Sequence, residues 1–169
     1  MLLHESDSAP AGRWNLGLKL LTRKGSPMKD RKILVPLDQS SISAQTVEGL
    51  LARKETLSFP LTLLHVLDPR RISYEGFGTT PKAEIEQRAV AEAQQFLASK
   101  QALFAAAGVA VTALFKQGYA REVICELADS GEFDLLVIGR KPDTDLRNLL
   151  FGQVANHVIH TVKCPVLIL

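Results

Sequence analysis

The fold is decided by residues 32–41, which have the sequence KILVPLDQSS. Residues 33–37 form a continuous apolar run, which is typical of a strand covered on both faces. Pro36 marks where the hydrogen-bond ladder stops, because proline has no amide hydrogen to donate. Residues 38–41 then supply Asp and Ser side chains that can cap a helix. The stretch therefore predicts a buried strand followed at once by a helix.

The alternation of strand and helix continues to the end of the chain. A second strand is predicted at Leu61–Leu67, and the Gly- and Pro-containing residues 68–81 predict a loop. The helix predicted from Pro81 to about Ala107 is the clearest, because its apolar side chains share one stripe and Gly108 ends it. The remaining predictions are a strand at Val109–Phe115, a helix at Tyr119–Ala128, a strand at 135–139, a polar loop at 140–148, a helix at about 149–162 and a strand at Val166–Leu169.

Five strands and four helices in strict alternation predict an α/β fold, with an open, five-stranded, parallel sheet that is doubly wound and Rossmann-like. Ligands bind such sheets outside the carboxyl ends of the strands, where the winding direction reverses. In a five-stranded sheet this point usually lies between the first and fourth strands. The predicted site therefore includes the loop that contains Asp38 and the loop that begins at Gly139.

Composition and charge predict one soluble domain. The chain has 169 residues, of which 46% are hydrophobic, and a net charge of +2. Residues 1–27 account for that excess, because the acidic and basic groups of residues 28–169 balance. A domain without net charge argues against binding to nucleic acid or to a membrane. Cys125 and Cys164 form no redox or zinc motif, so they predict buried thiols in a cytoplasmic protein.

The first 27 residues lack the features of a secretory signal, and we expect a poorly ordered extension there. Met28, followed by a charged stretch, resembles a natural chain start. The hypothesis is that residues 28–169 form the domain without needing the upstream segment.

Three residues at the predicted site each indicate ligand binding, but each indication is weak by itself. Asp38 can accept a hydrogen bond from a base or a ribose, although an Asp just before a helix is more often a cap. Gly139 allows a backbone to approach a phosphate, and Gly152 would place free amides of the last helix toward an anion.

Several motifs together resemble the universal stress protein family. They are residues 32–41, Leu64-His65-Val66, Gly118–Ala128, residues 134–139 (DLLVIG), residues 149–152 (LLFG), Val154-Ala155 and residues 164–168 (CPVLI). The resemblance covers about residues 30–169 in family order. It implies a Rossmann-like domain with a pocket for an adenine nucleotide such as ATP or AMP. The binding residues that we predict on this basis are Pro36, Leu37, Asp38, Val66, Ile138, Gly139, Arg140, Gly152, Gln153 and Val154.

The phosphate end departs from the family pattern of Gly, two residues, Gly, nine residues, Gly and then Ser or Thr. In this chain Gly139 and Gly152 match, but Pro142 replaces the second Gly and Gln153 replaces the hydroxyl residue. Pro142 has no amide hydrogen for a phosphate. The loop also contains Asp143 and Asp145, which would repel a triphosphate and are partly offset by Arg140, Lys141 and Arg147. A pocket for adenosine, AMP or a cyclic nucleotide is retained, whereas tight ATP binding is disfavoured.

The resemblance implies a homodimeric stress-response module rather than an enzyme. The apolar strand Val166–Leu169 is predicted at the sheet edge, where pairing with a second copy would cover it. One alternative is a slow ATP hydrolase in which Asp38 activates water, and another is an interaction protein that binds no nucleotide. His157 and His160 have metal-chelating spacing but no acidic or thiol partner nearby in sequence, so no metal is predicted, and His65 is predicted to be a packed strand residue.

Overall fold

The computed structural model describes residues 32–56, 59–140 and 152–169. The predicted extension at 1–27 lies outside these ranges. So do residues 141–151, which include most of the predicted polar loop and the predicted start of the last helix.

In the described residues, five parallel strands form one sheet in the order β3-β2-β1-β4-β5. The strands are β1 (Ile33–Pro36), β2 (Leu61–Leu67), β3 (Val111–Gln117), β4 (Leu135–Ile138) and β5 (Val166–Ile168). The central strand β1 pairs Ile33 with Leu61 on one side and with Leu135 on the other. The chain winds outward from β1 in both directions, so the predicted fold class is confirmed and the reversal lies between β1 and β4.

Four α-helices in the described part of the chain cover the two faces of the sheet. They are α1 (Ser41–Ala52), α2 (Lys82–Ala106), α3 (Ala120–Asp129) and α4 (Gln153–Thr161). Leu50 of α1 and Phe104 of α2 pack with Val35 of β1 on one face. Ile124 of α3 and Val158 of α4 pack with Leu34 on the other. Within the described ranges, no helix is long and apolar enough to cross a membrane.

The third strand begins two residues later than its apolar pattern predicts. Gly108 adopts a φ of 77°, and the amide of Val109 donates to the carbonyl of Phe104 at 2.9 Å. Val109 and Ala110 are therefore taken up by the exit from helix α2, and β3 begins at Val111. The strand continues to Gln117, which pairs with Leu67. Periodicity could not reveal this, because the apolar residues continue through the helix exit.

The predicted loop after β2 contains a single 3-10 turn at Pro69–Arg71. The Asp68 carboxylate caps this turn by accepting a hydrogen bond of 3.0 Å from the Arg70 amide. The turn holds Arg70 and Arg71 next to the carboxyl end of β2.

Candidate functional site

A cavity of about 1320 Å³ opens at the carboxyl ends of the central strands. Nine of the ten predicted binding residues line it, namely Pro36, Leu37, Asp38, Val66, Ile138, Gly139, Gly152, Gln153 and Val154. The tenth, Arg140, is exposed and does not line it. Its backbone amide donates to the carbonyl of Leu169 at 2.9 Å, so this N–H holds the edge strand.

Asp38 is the centre of a hydrogen-bond network at the end of β1. Its Oδ1 atom accepts from the hydroxyl of Ser43 at 2.7 Å, from the amide of Ser40 at 3.0 Å and from the hydroxyl of Ser40. The N-cap of α1 is Ser40, whose hydroxyl accepts from the amide of Ser43 at 3.3 Å. The cap role favoured for Asp38 is therefore wrong, because Asp38 lies two residues before the cap and instead orients the capping serine.

The Asp38 carboxylate stays ionised. Burial disfavours the charge, but the hydrogen bonds from Ser40 and Ser43, helped by nearby His65, outweigh it and hold the pKa of Asp38 below its usual value. Its second oxygen, Oδ2, accepts no hydrogen bond from any residue in the described part of the chain. One oxygen of a fixed, charged carboxylate thus remains free to bind a ligand.

His65 is a buried strand residue beside Asp38, as predicted from the sequence. Its Nδ1 lies 2.8 Å from the carbonyl oxygen of Leu37, and its ring packs at a tilt against Phe96 with centroids 5.1 Å apart. Because a carbonyl can only accept, Nδ1 carries a hydrogen. This bond holds the chain at Leu37 as it leaves β1 and so positions Asp38.

Gly139 is required by packing at the end of β4. A Cβ built there would lie 2.7 Å from Cγ2 of Ile42 and would overlap the hydroxyl of Thr46. The absence of a side chain therefore lets α1 approach the sheet. From the sequence, Gly139 was predicted to let the backbone approach a phosphate, and this packing role was not predicted.

The start of α4 forms the opposite wall. Gly152 is the N-cap, with no side-chain hydrogen bond to the first turn, and Gln153 is exposed. A Cβ built at Gly152 would meet none of the described residues within 4 Å.

Sequence reasoning missed a group of basic residues at the far side of the cavity. Arg70, Arg71, Arg88 and Arg121 all line it, together with Tyr119. They come from the turn after β2, from α2 and from the first turn of α3, which are distant in sequence. The adjacent pair Arg70-Arg71, which follows the end of a strand after two residues, was the signal available.

A profile of the universal stress protein family matches residues 30–169. The chain belongs to the universal stress protein family. Universal stress protein Sll1388 of Synechocystis sp. is 29% identical over 148 residues, which cover 81% of this chain and 96% of that relative. The family match therefore spans all the described residues that form the sheet and line the cavity.

Solved structures agree with this assignment. The structure of MJ0577 from Methanocaldococcus jannaschii aligns with a TM-score of 0.66 and 27% identity, and covers 83% of this chain and 96% of that one. A universal stress protein family protein from Arabidopsis thaliana, solved with AMP bound, aligns with a TM-score of 0.60 and 25% identity, and covers 82% and 90%.

The described part of this universal stress protein contains no group of three or more His, Cys, Asp or Glu side chains placed to hold a metal ion. His157 is half-buried and His160 is exposed on α4. The carbonyl of His157 accepts a hydrogen bond of 2.7 Å from the Thr161 hydroxyl, within the helix.

Proposed function

We propose that this universal stress protein is a binding and regulatory module for an adenine nucleotide, with AMP or a cyclic nucleotide favoured over ATP. The observation that carries the proposal is the Asp38 carboxylate at the switch point of the sheet. It is ionised, oriented by two serines and lines the cavity with one free oxygen. Such a group is suited to accept hydrogen bonds from ribose hydroxyls or from the amino group of a base.

The walls beside Asp38 suit a flat base. Leu37 is buried, while Val66 and Val154 are half-buried, and all three line the cavity. Apolar walls with few polar groups are typical of small-molecule sites. The AMP in the Arabidopsis relative supports the ligand class, since that chain shares 25% identity with this one over the same fold.

The preference against ATP follows from the residues predicted to bind phosphate, after β4 and at the start of α4. Pro142 offers no amide hydrogen and Gln153 replaces a short hydroxyl residue. The Arg140 amide is already bonded to Leu169. Two donors of the family pattern are therefore missing for a triphosphate, which carries more charge than a monophosphate.

The proposed module acts by binding rather than by turnover. Asp38 is the candidate that could activate water, but a carboxylate with a lowered pKa is a weak general base. Its Oδ1 is moreover occupied by Ser40 and Ser43. The same site thus retains ligand while it lacks a strong base for hydrolysis.

The module is proposed to be a homodimer formed through β5. This strand is at the sheet edge, and Leu167 and Ile168 are 38% and 40% exposed there. Edge strands with exposed apolar side chains pair readily with a second copy. The proposed domain is residues 28–169, and a cytoplasmic location is consistent with Cys125 and Cys164 not being joined by a disulfide.

Calorimetric titration with adenosine, AMP, cyclic AMP and ATP tests the nucleotide proposal. Asp38→Asn should weaken adenosine binding about tenfold, because one charged hydrogen bond is lost. Glu132→Gln is the matched control, since Glu132 is exposed and lies outside the cavity. No heat with any of the four ligands would favour the interaction protein, and phosphate release from ATP would favour the hydrolase.

A further inference from the structure

The two ring nitrogens of His65, at the carboxyl end of β2, have different surroundings. The residue is only 8% exposed. Its Nδ1 donates a hydrogen bond of 2.8 Å to the carbonyl of Leu37. No residue in the described part of the chain forms a hydrogen bond with Nε2. One polar atom of a buried ring is therefore left without a protein partner.

Nε2 of His65 is nevertheless reached by solvent. Across residues 32–56, 59–140 and 152–169, no side-chain nitrogen or oxygen is both shielded from solvent and without a hydrogen-bond partner. Since Nε2 has no such partner, it cannot be shielded. His65 lines the cavity and is otherwise covered, so the solvent that reaches Nε2 is that of the cavity. The open edge of the ring thus faces the space available to a ligand.

The hydrogen on Nδ1 decides what Nε2 can bind. A neutral imidazole carries one hydrogen, and because Nδ1 of His65 holds it, Nε2 presents a lone pair. Nε2 is therefore a hydrogen-bond acceptor. The ring of Phe96 packs against the imidazole with centroids 5.1 Å apart. This contact and the bond to Leu37 together fix the direction in which the acceptor points.

The charged side chains of α2 that line the cavity do not supply a hydrogen to Nε2 of His65. They are Arg88 and Glu92, which lie one turn apart on the same face of the helix. Arg88 forms an ion pair with Glu84, and an ionised Glu92 has no hydrogen to donate. The hydrogen for Nε2 must therefore come from water or from a ligand.

His65 lies beside the apolar walls of the cavity. It bonds to Leu37 and precedes Val66, two of the residues that suit a flat base. The free oxygen of Asp38, the next residue after Leu37, is also an acceptor. The backbone amides of Leu37 and Asp38 are already bonded within the protein. This wall favours a base edge that carries N–H groups over one that carries a carbonyl oxygen.

We infer that Nε2 of His65 accepts a hydrogen bond from the amino group of the bound base and so selects an aminopurine over an oxopurine. This inference rests on the proposed function, because it names the group of the nucleotide that determines specificity in the same site. The base of inosine has a carbonyl oxygen in place of the amino group, and that oxygen cannot donate to a lone pair. A site built to accept a hydrogen discriminates against a ligand without it, because the buried acceptor is then left unpaired.

The experiment compares adenosine with inosine on the full chain, by calorimetry at about pH 8, where histidine is ordinarily neutral. Wild type should bind adenosine more tightly than inosine. The test variant is His65→Asn, because the amide of asparagine can replace the Nδ1 hydrogen toward Leu37 but has no counterpart of Nε2. It should weaken adenosine binding about tenfold and leave inosine binding unchanged. His157→Asn is the matched control outside the cavity and should change neither affinity.

The outcomes separate this inference from the nucleotide proposal. If wild type binds no nucleoside, the nucleotide proposal fails and the inference fails with it. If wild type binds adenosine but His65→Asn binds it equally well, or loses both nucleosides to the same degree, only the role of Nε2 is overturned. If the effect of His65→Asn disappears with 2′-deoxyadenosine and persists with inosine, the contact is to the ribose and the assignment to the base is overturned.

A measurement on wild type does not depend on the folding of a variant. Nitrogen NMR of the imidazole distinguishes a ring nitrogen with a lone pair from one with a hydrogen. The Nε2 resonance of His65 should move when adenosine is added and should not move with inosine. An unmoved resonance at saturating adenosine would overturn the contact. Circular dichroism shows whether His65→Asn is folded.

Discussion

The Ser43 hydroxyl and Asp38 are joined by two hydrogen bonds at once. The hydroxyl donates to Oδ1 of Asp38 at 2.7 Å and accepts from the Asp38 amide at 2.8 Å. Ser43 is buried in the first turn of α1, so this pair connects the helix to the end of β1. Besides Ser40, the orientation of the candidate binding carboxylate thus depends on a serine five residues later in the chain.

Ser43→Ala removes both bonds. We expect a loss of about 1–2 kcal/mol in the free energy of unfolding, because a partly buried amide and a carboxylate oxygen each lose a partner. The pKa of Asp38 should rise, since one of the hydrogen bonds that lowers it is gone. Urea denaturation and a carboxyl titration by NMR measure the two effects. Ser99→Ala on the exposed side of α2 is the control, and equal losses in the two variants would contradict the prediction.

Asp68 gives the protein a pH-dependent contribution to stability. The hydrogen bond from Arg70 lowers the pKa of Asp68 to about 2. A carboxyl with a lowered folded pKa stabilises the fold above its unfolded pKa, near 4, and loses that contribution as the pH falls through the folded value. Wild type should therefore be more stable than Asp68→Asn at pH 6, and the difference should shrink between about pH 4 and pH 2. A difference that stays constant over this range in denaturation experiments would disprove the assignment.

Gly139→Ala should destabilise the protein by about 1–3 kcal/mol, because the added methyl group would collide with Ile42 and Thr46 of α1. Gly49→Ala in the same helix is the matched control. A Cβ at Gly49 would meet its nearest atoms at 3.6 Å and 3.9 Å, which is ordinary contact. Alanine also favours a helix interior over glycine, so this variant should be neutral or stabilising. Thermal unfolding measures both effects. The midpoint temperature should fall for Gly139→Ala and should stay the same or rise for Gly49→Ala.

The double variant Pro142→Gly, Gln153→Ser restores the second Gly and the hydroxyl residue of the family's phosphate-binding pattern. It should raise the affinity for ATP at least tenfold, because an amide hydrogen and a hydroxyl become available. Adenosine affinity should not change. Calorimetry with ATP and adenosine measures both, and unchanged ATP affinity would show that these two substitutions do not limit triphosphate binding.

Ile168→Lys tests the dimer proposed through β5. A charge on the exposed edge strand should prevent pairing with a second copy, so the variant should sediment as a monomer. Leu103→Lys is the control, since Leu103 is 49% exposed on α2, which packs on β2 and β3 across the sheet from β5. A dimer that persists in Ile168→Lys while the protein remains folded would place the interface elsewhere.

The elements of the fold and the place of the cavity were predictable from the sequence. Apolar runs such as 33–37 and 61–67 predict buried parallel strands because they reflect burial on both faces, which is a local property. The alternation with helices then places Asp38 and Gly139 at the ends of β1 and β4, and the sheet order confirms this. The exit from α2 at Gly108 was less predictable, since apolar residues continue across it.

Only the tertiary structure decided what the site residues do. Asp38 orients Ser40 and Ser43 rather than capping the helix, Gly139 provides room for α1, and Arg121 stacks on Tyr119 beside Arg70. The roles of Gly139 and of Arg70 on Tyr119 depend on contacts between segments far apart in sequence. The role of Asp38 depends on which residue of the local turn becomes the N-cap, and residue spacing encodes neither. The sequence by itself determined the sheet and the edge where a ligand can bind. Packing of the helices against that edge decided which charged groups face the cavity.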